Sequence, residues 1–150
     1  MAAQPQGPAD RLVLGLAWHG AIANTRMRAA LGLTGLMPRH VMTLRWLADG
    51  PVSQKELIER LEVDPSVLVA LLNDLEDGGL LQRRRDPADR RRHIVEITDS
   101  GRAALDTTDA ALDELEAELF ADLTASDLAA LRRILGRLRS SAEHFECQEG

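Results

Sequence analysis

Two adjacent glycines, Gly78 and Gly79, break the chain at a point that restricts everything on either side. Before them Leu68, Leu71, Leu72 and Leu75 recur at helical spacing, with Asp64 placed to cap and Pro65 in the first turn, so a helix is predicted over 64–77. After them the period changes. Leu80 to Arg83 and His93 to Ile97 predict two short strands, the second carrying the β-branched Ile94, Val95 and Ile97. The polar segment Arg84 to Arg92 between them then predicts a two-stranded hairpin.

The flanking segments are helical. Residues 11 to 31 carry Leu12, Leu14, Leu16, Ala17, Ile22, Ala23, Met27, Ala30 and Leu31 with few breaks, a pattern that needs more than one burial surface. Pro38 starts a second helix with the stripe Val41, Leu44 and Leu47, ended by Asp49-Gly50-Pro51. Ser53-Gln54-Lys55-Glu56 matches a capping box for a short third helix whose apolar side is Leu57, Ile58 and Leu61. Thr98 can cap a long helix carrying Ala104, Leu105, Leu112, Leu115, Leu119 and Phe120. Thr124 or Ser126 can cap a last one with Leu128, Leu131, Ile134, Leu135 and Leu138. The expected fold is mainly α with a small β-hairpin: a winged helix-turn-helix lobe over about 36–98, and dimerisation helices over about 11–33 and 99–145. Residues 1–10, rich in Ala, Gln, Pro and Gly, are expected to form a disordered tail.

A chain of 150 residues is the size of one ordinary domain. Its single cysteine, Cys147, excludes an internal disulfide, and no apolar run reaches the roughly 20 residues of a membrane span, so a cytoplasmic protein is expected. A net charge of −6 would ordinarily argue against a nucleic-acid partner, but its distribution argues the other way. Gln82 to His93 holds Arg83, Arg84, Arg85, Arg90, Arg91 and Arg92 against only Asp86 and Asp89, whereas residues 99–127 hold nine acids and the single base Arg102. The hairpin suits phosphate and the acidic stretch must point away from it.

Asp89-Arg90-Arg91, then Ile94-Val95-Glu96-Ile97-Thr98 and Gly101, resembles the D-x-R, hydrophobic strand and L-T-x-x-G pattern of the MarR family of bacterial transcriptional regulators, with Ile97 in place of Leu. Leu75-Glu76-Asp77-Gly78-Gly79-Leu80-Leu81 and Ser53-Gln54-Lys55-Glu56-Leu57 extend the likeness. The resemblance covers about residues 11 to 145. It implies a homodimeric, sequence-specific regulator of double-stranded DNA, a repressor acting at a palindromic operator and released by a small ligand. It also places Arg91 in the minor groove, where a narrow cationic tip is favoured.

The remaining roles follow from chemistry. Asp89 is expected to shape the wing by pairing with an arginine, and Arg83, Arg84, Arg85, Arg90 and Arg92 to touch phosphates. Ser53, Gln54 and Lys55 can bring a hydroxyl, an amide and an ammonium to the backbone beside a helix N-terminus. If the four leucines of 64–77 face the core, the groove side keeps Ser66, Val67, Val69, Ala70 and Asn73, of which only Asn73 can make a bidentate base contact. Val67, Val69 and Ala70 can meet thymine methyls, so an A·T-leaning operator is expected.

Trp18, His19, His40 and Trp46 fall where the resemblance puts a ligand cleft, with chemistry suited to a small aromatic or phenolic anion. The bland reading makes the tryptophans core. His144 and Cys147 share a helical spacing near the terminus and are read as incidental, with no metal site. No Gly-rich phosphate loop, firm metal motif or nucleophile with a nearby base is present, so no enzyme activity and no cofactor are expected. The competing reading is a dimeric protein-interaction module of the same fold without specific DNA recognition.

Overall fold

The computed structural model describes residues 10–142, with side chains described to residue 138. His144 and Cys147 lie outside the described residues. The chain divides into two compact units, residues 1–115 and 116–150.

The first unit contains helix α1 (Leu12–Leu31), a single tight turn (Gly32–Thr34), α2 (Pro38–Ala48), strand β1 (Val52–Ser53), α3 (Gln54–Leu61), α4 (Pro65–Asp77), β2 (Leu81–Arg85) and β3 (His93–Ile97). It also holds most of α5 (Asp99–Leu119), whose end passes into the second unit. The second unit carries α6 (Ala125–Ala142). No helix among the described residues is long and apolar enough to cross a membrane.

The expected hairpin has a third strand. β1 pairs antiparallel with β3 through Val52 and Val95 and through Ser53 and Ile94, giving the order β1-β3-β2. Strand β2 also runs two residues further than its apolar content indicates. Arg84 and Arg85 pair with Ile94 and His93, so they belong to the sheet and not to the turn.

The leucine spacing of α4 translates directly into packing. Leu68, Leu71, Leu72 and Leu75 are all buried and meet Leu31, Val41, Leu44, Leu47, Val52, Leu57, Leu81, Val95 and Leu105 in the core of the first unit or at its edge. Each fully buried leucine contributes about 1.5–3 kcal/mol of transfer free energy. α4 ends in a Schellman turn: Leu80 N–H donates to Leu75 O at 2.9 Å and Gly79 N–H to Glu76 O at 2.9 Å. Gly79 sits at φ +73°, which explains the second glycine of the break.

The exit from the wing is stitched to that turn. Thr98 Oγ1 donates to Gly79 O at 2.6 Å and accepts from Gly101 N–H at 3.1 Å, while Thr98 N–H donates to Leu80 O at 3.1 Å. A Cβ at Gly101 would lie 2.0 Å from Leu80 O. The Thr-x-x-Gly spacing thus reflects the close approach of α5 to the end of α4.

Candidate nucleic-acid interface

Three segments present polar groups around the sheet. At the start of α3 the Ser53 hydroxyl accepts from Glu56 N–H at 3.2 Å, as the capping box requires. The return half is absent, because Glu56 pairs with Arg60 one turn later. Ser53 is also only 6% exposed, so it caps and pairs within the fold, and its hydroxyl is not available to a phosphate. Gln54 is half-buried and Lys55 is exposed, which leaves Lys55 as the outward cation of this segment.

On α4, Ser66, Val69, Ala70 and Asn73 are exposed and Val67 is half-buried, the face expected opposite the four leucines. Asp64 holds the N-cap position with an extended backbone, yet its side chain makes no capping bond.

The six arginines expected as one cationic group divide into two. Arg83 is turned inward onto α4: its backbone N–H donates to Glu76 Oε2 at 3.0 Å, its Nη2 to Glu76 Oε1 at 2.9 Å and to Asn73 Oδ1 at 2.7 Å. The hydrogen bond from Arg83 holds the Glu76 carboxyl below its usual range, and Glu76 in turn raises Arg83. Arg83 therefore fastens β2 to α4 and is not a free phosphate contact. Arg84 lies 3.3 Å from Glu96, which also accepts from Gln82 at 2.8 Å, so its charge is partly compensated within the sheet.

Arg85, Arg90, Arg91 and Arg92 are exposed, with no ion pair among the described residues. The turn that carries the last three is closed by its own backbone. Asp86 N–H donates to Arg92 O and Arg92 N–H to Asp89 O, both at 2.9 Å. Asp86 Oδ1 accepts from Ala88 N–H at 2.9 Å and Asp89 Oδ1 from Arg91 N–H at 3.0 Å. Asp89 thus shapes the wing, but through a backbone N–H two residues on and not through the guanidinium pair expected. A groove of about 380 Å³ is lined by Gln54 of α3, Glu76 of α4, Arg83, Arg84 and Arg85 of β2 and His93 of β3.

Two of the four expected ligand residues have structural work instead. His40 Nδ1 accepts from Met37 N–H at 3.0 Å, capping α2, and its Nε2 is 3.2 Å from Asp74 Oδ2 on α4. Nδ1 is therefore the acceptor and Nε2 carries the proton. Trp46 packs against the core with the Arg60 guanidinium 4.9 Å over its ring. Both side chains are occupied by neighbours that a ligand would have to displace. Trp18 is 69% exposed on α1, and His19 beside it is exposed.

Sequence spacing concealed Glu76, Asp74 and Asp86 as organising residues. Glu76 and Arg83 stand seven apart on either side of the Gly78-Gly79 break, one on α4 and one on β2, so no single helix or strand period relates them.

The comparisons with known proteins point one way. A family model described as MarR family matches residues 31–92, from the end of α1 to the end of the arginine turn. The HTH-type transcriptional repressor Mb2911 of Mycobacterium bovis is 31% identical over 137 residues, 89% of this chain and 99% of the relative. The chain belongs to the MarR family. NicR, an HTH-type transcriptional repressor of Pseudomonas putida, is 35% identical over 104 residues, 69% of this chain but only 66% of NicR. Among solved structures, the transcriptional repressor CouR bound to a 23-mer DNA duplex superposes with a TM-score of 0.84 at 26% identity, covering 93% of this chain and 99% of that one. CouR from Rhodococcus jostii bound to p-coumaroyl-CoA gives 0.79 at 27% identity, covering 89% and 94%.

Proposed function

We propose that this protein is a homodimeric, sequence-specific, double-stranded DNA-binding repressor of the cytoplasm. The observation that carries the reading is the locked turn of Arg90, Arg91 and Arg92, held out beyond the sheet in an acidic chain, on the same lobe as the exposed face of α4. Three cations that no carboxylate neutralises are costly to gather unless a polyanion meets them. The similar CouR structure, bound to a 23-mer DNA duplex, supports a DNA duplex as the partner.

In this reading Arg91 enters the minor groove, Lys55, Arg85, Arg90 and Arg92 grip phosphates, and Val67, Val69, Ala70 and Asn73 face the major groove. The exposed Val69 and Ala70 and the half-buried Val67 favour thymine methyls, hence an A·T-leaning palindrome. Release by a small aromatic anion belongs to the reading, supported by the p-coumaroyl-CoA complex of CouR. No catalytic step is assigned to any residue.

Salt titration of duplex binding tests it. A dimer making roughly six phosphate contacts loses about a thousandfold in affinity between about 50 and 200 mM salt. Arg91→Ala is expected to weaken binding and relax preference at the operator flanks, and Arg85→Ala to weaken all duplexes alike. Weak binding, indifferent between promoter fragments and random duplex, would instead favour the interaction module.

A further inference from the structure

Asn73 is the only side-chain amide on α4, and Arg83 decides which way it faces. A guanidinium has five N–H donors and no acceptor, so only Oδ1 of Asn73 can face the Arg83 nitrogen 2.7 Å away; the reversed amide would set donor against donor. Arg83 cannot follow the amide elsewhere. Its backbone N–H, Nε and Nη2 are held by Glu76 at 3.0, 3.3 and 2.9 Å. The chain Glu76, Arg83, Asn73 therefore lets a strand residue set the hydrogen-bonding polarity of a helix residue. Asn73 is exposed, and its Nδ2 has no partner among the described residues.

An asparagine reads adenine with both ends of its amide, accepting from N6 and donating to N7. Here the accepting end is occupied by an anchored cation, and a second donor would have to crowd in beside it. The donating end is unencumbered. Guanine offers two acceptors, O6 and N7, to such a donor and thymine offers O4, whereas adenine offers N7 alone beside an N6 amine that competes with the donor, and cytosine presents only an amine.

We propose that Arg83 is a positioning residue for base recognition: by holding Asn73 Oδ1 it makes each subunit select, at one operator position, guanine or thymine in place of adenine. The inference rests on the DNA-binding reading above and assigns Arg83 to specificity where a phosphate contact would be indifferent to sequence.

Selection of the full chain on random duplex, followed by competition binding on single-base variants, tests it. The unmutated protein is expected to prefer guanine or thymine over adenine by about tenfold at one position in each half-site. Asn73→Asp keeps the Arg83 bond but turns an acceptor outward, so the preference at that position moves to cytosine or adenine, whose amines donate. Arg83→Met frees the amide while keeping most of the stem, and the discrimination against adenine is expected to vanish there and stay unchanged elsewhere. A merely structural role would lower binding to every sequence in proportion, without altering the choice at one base. If Arg83→Met fails to fold, Asn73→Asp alone decides. An unmutated preference for adenine at the position that Asn73→Asp disturbs, or an Arg83→Met protein with unaltered preferences, overturns the inference and leaves DNA binding standing. Enrichment of no duplex by the unmutated protein removes the DNA-binding reading, and the inference with it.

Discussion

At Gly101 the absence of one carbon decides whether α5 can sit where it does. A Cβ there would meet Leu80 O at 2.0 Å and Ile97 Cγ1 at 2.6 Å, and the first of these is backbone that the Thr98 bonds hold in place. A glycine-to-alanine change inside an unobstructed helix normally stabilises by about 0.4–1 kcal/mol. Gly101→Ala is expected to do the reverse, costing about 1–3 kcal/mol or more as overpacking, read as a lower urea midpoint at unchanged slope. Glu76 offers a second test of a single residue. Its folded-state carboxyl lies below the ordinary value of 4.5 because of Arg83, so the pair stabilises fully above that value, and the gain is lost as pH falls through the lower folded one. Arg83 stays protonated throughout and adds no slope of its own. The difference in urea midpoint between the unmutated protein and Glu76→Gln should be level near neutral pH and shrink below about pH 4.5. A difference that stays constant down to acid unfolding would contradict the pair.

Elements differ in how far local sequence determines them. The core face of α4, its Gly78-Gly79 stop and the start of α2 at Pro38 were legible because spacing, caps and breakers act within one turn of the chain. Strand β1 was not, since two residues acquire strand geometry only by pairing with β3 more than 40 positions later. The same holds for the inward turn of Arg83, the clasp of His40 on Asp74 and the cover of Trp46 by Arg60, all made between elements. In the wing the site was legible as charge, while its shape was not. Coulomb attraction alone predicts that removing an acid beside three arginines raises DNA affinity. If Asp89 acts by fixing the turn, Asp89→Ala should instead lower affinity by about fivefold, the loss of roughly 1 kcal/mol for one hydrogen bond. Asp89→Asn, which keeps the accepting oxygen and drops the charge, should bind at least as well as the unmutated protein. Fluorescence anisotropy on one duplex at fixed salt separates the two, and tighter binding by Asp89→Ala would remove the turn from the explanation.

Over the whole molecule, apolar side chains stand in water on helices from both units. Leu12 is 89% exposed on α1, Leu16 is 53%, and Ile134, Leu135 and Leu138 on α6 are each near half-exposed. Such surface is larger than scattered exposed leucines account for, and a second copy of the chain is the occupant that the proposed function requires. One recognition helix and one wing per subunit cover too little DNA for tight selective binding, so association and operator affinity should fall together. In a two-fold interface every substitution acts twice. Leu16 and Leu135 are only about half-exposed in one copy, so Leu16→Glu and Leu135→Glu each remove about 0.8–1.5 kcal/mol of burial per copy, and each should weaken association by more than about tenfold. Sedimentation velocity across a concentration series measures this directly. Arg91→Ala, which lies on the wing, should lose duplex affinity with its sedimentation unchanged. If Leu16→Glu leaves both association and duplex affinity intact, α1 is not part of the interface. If Leu135→Glu does so, the same conclusion applies to α6, and the operator must then be held by a dimer built from other surfaces.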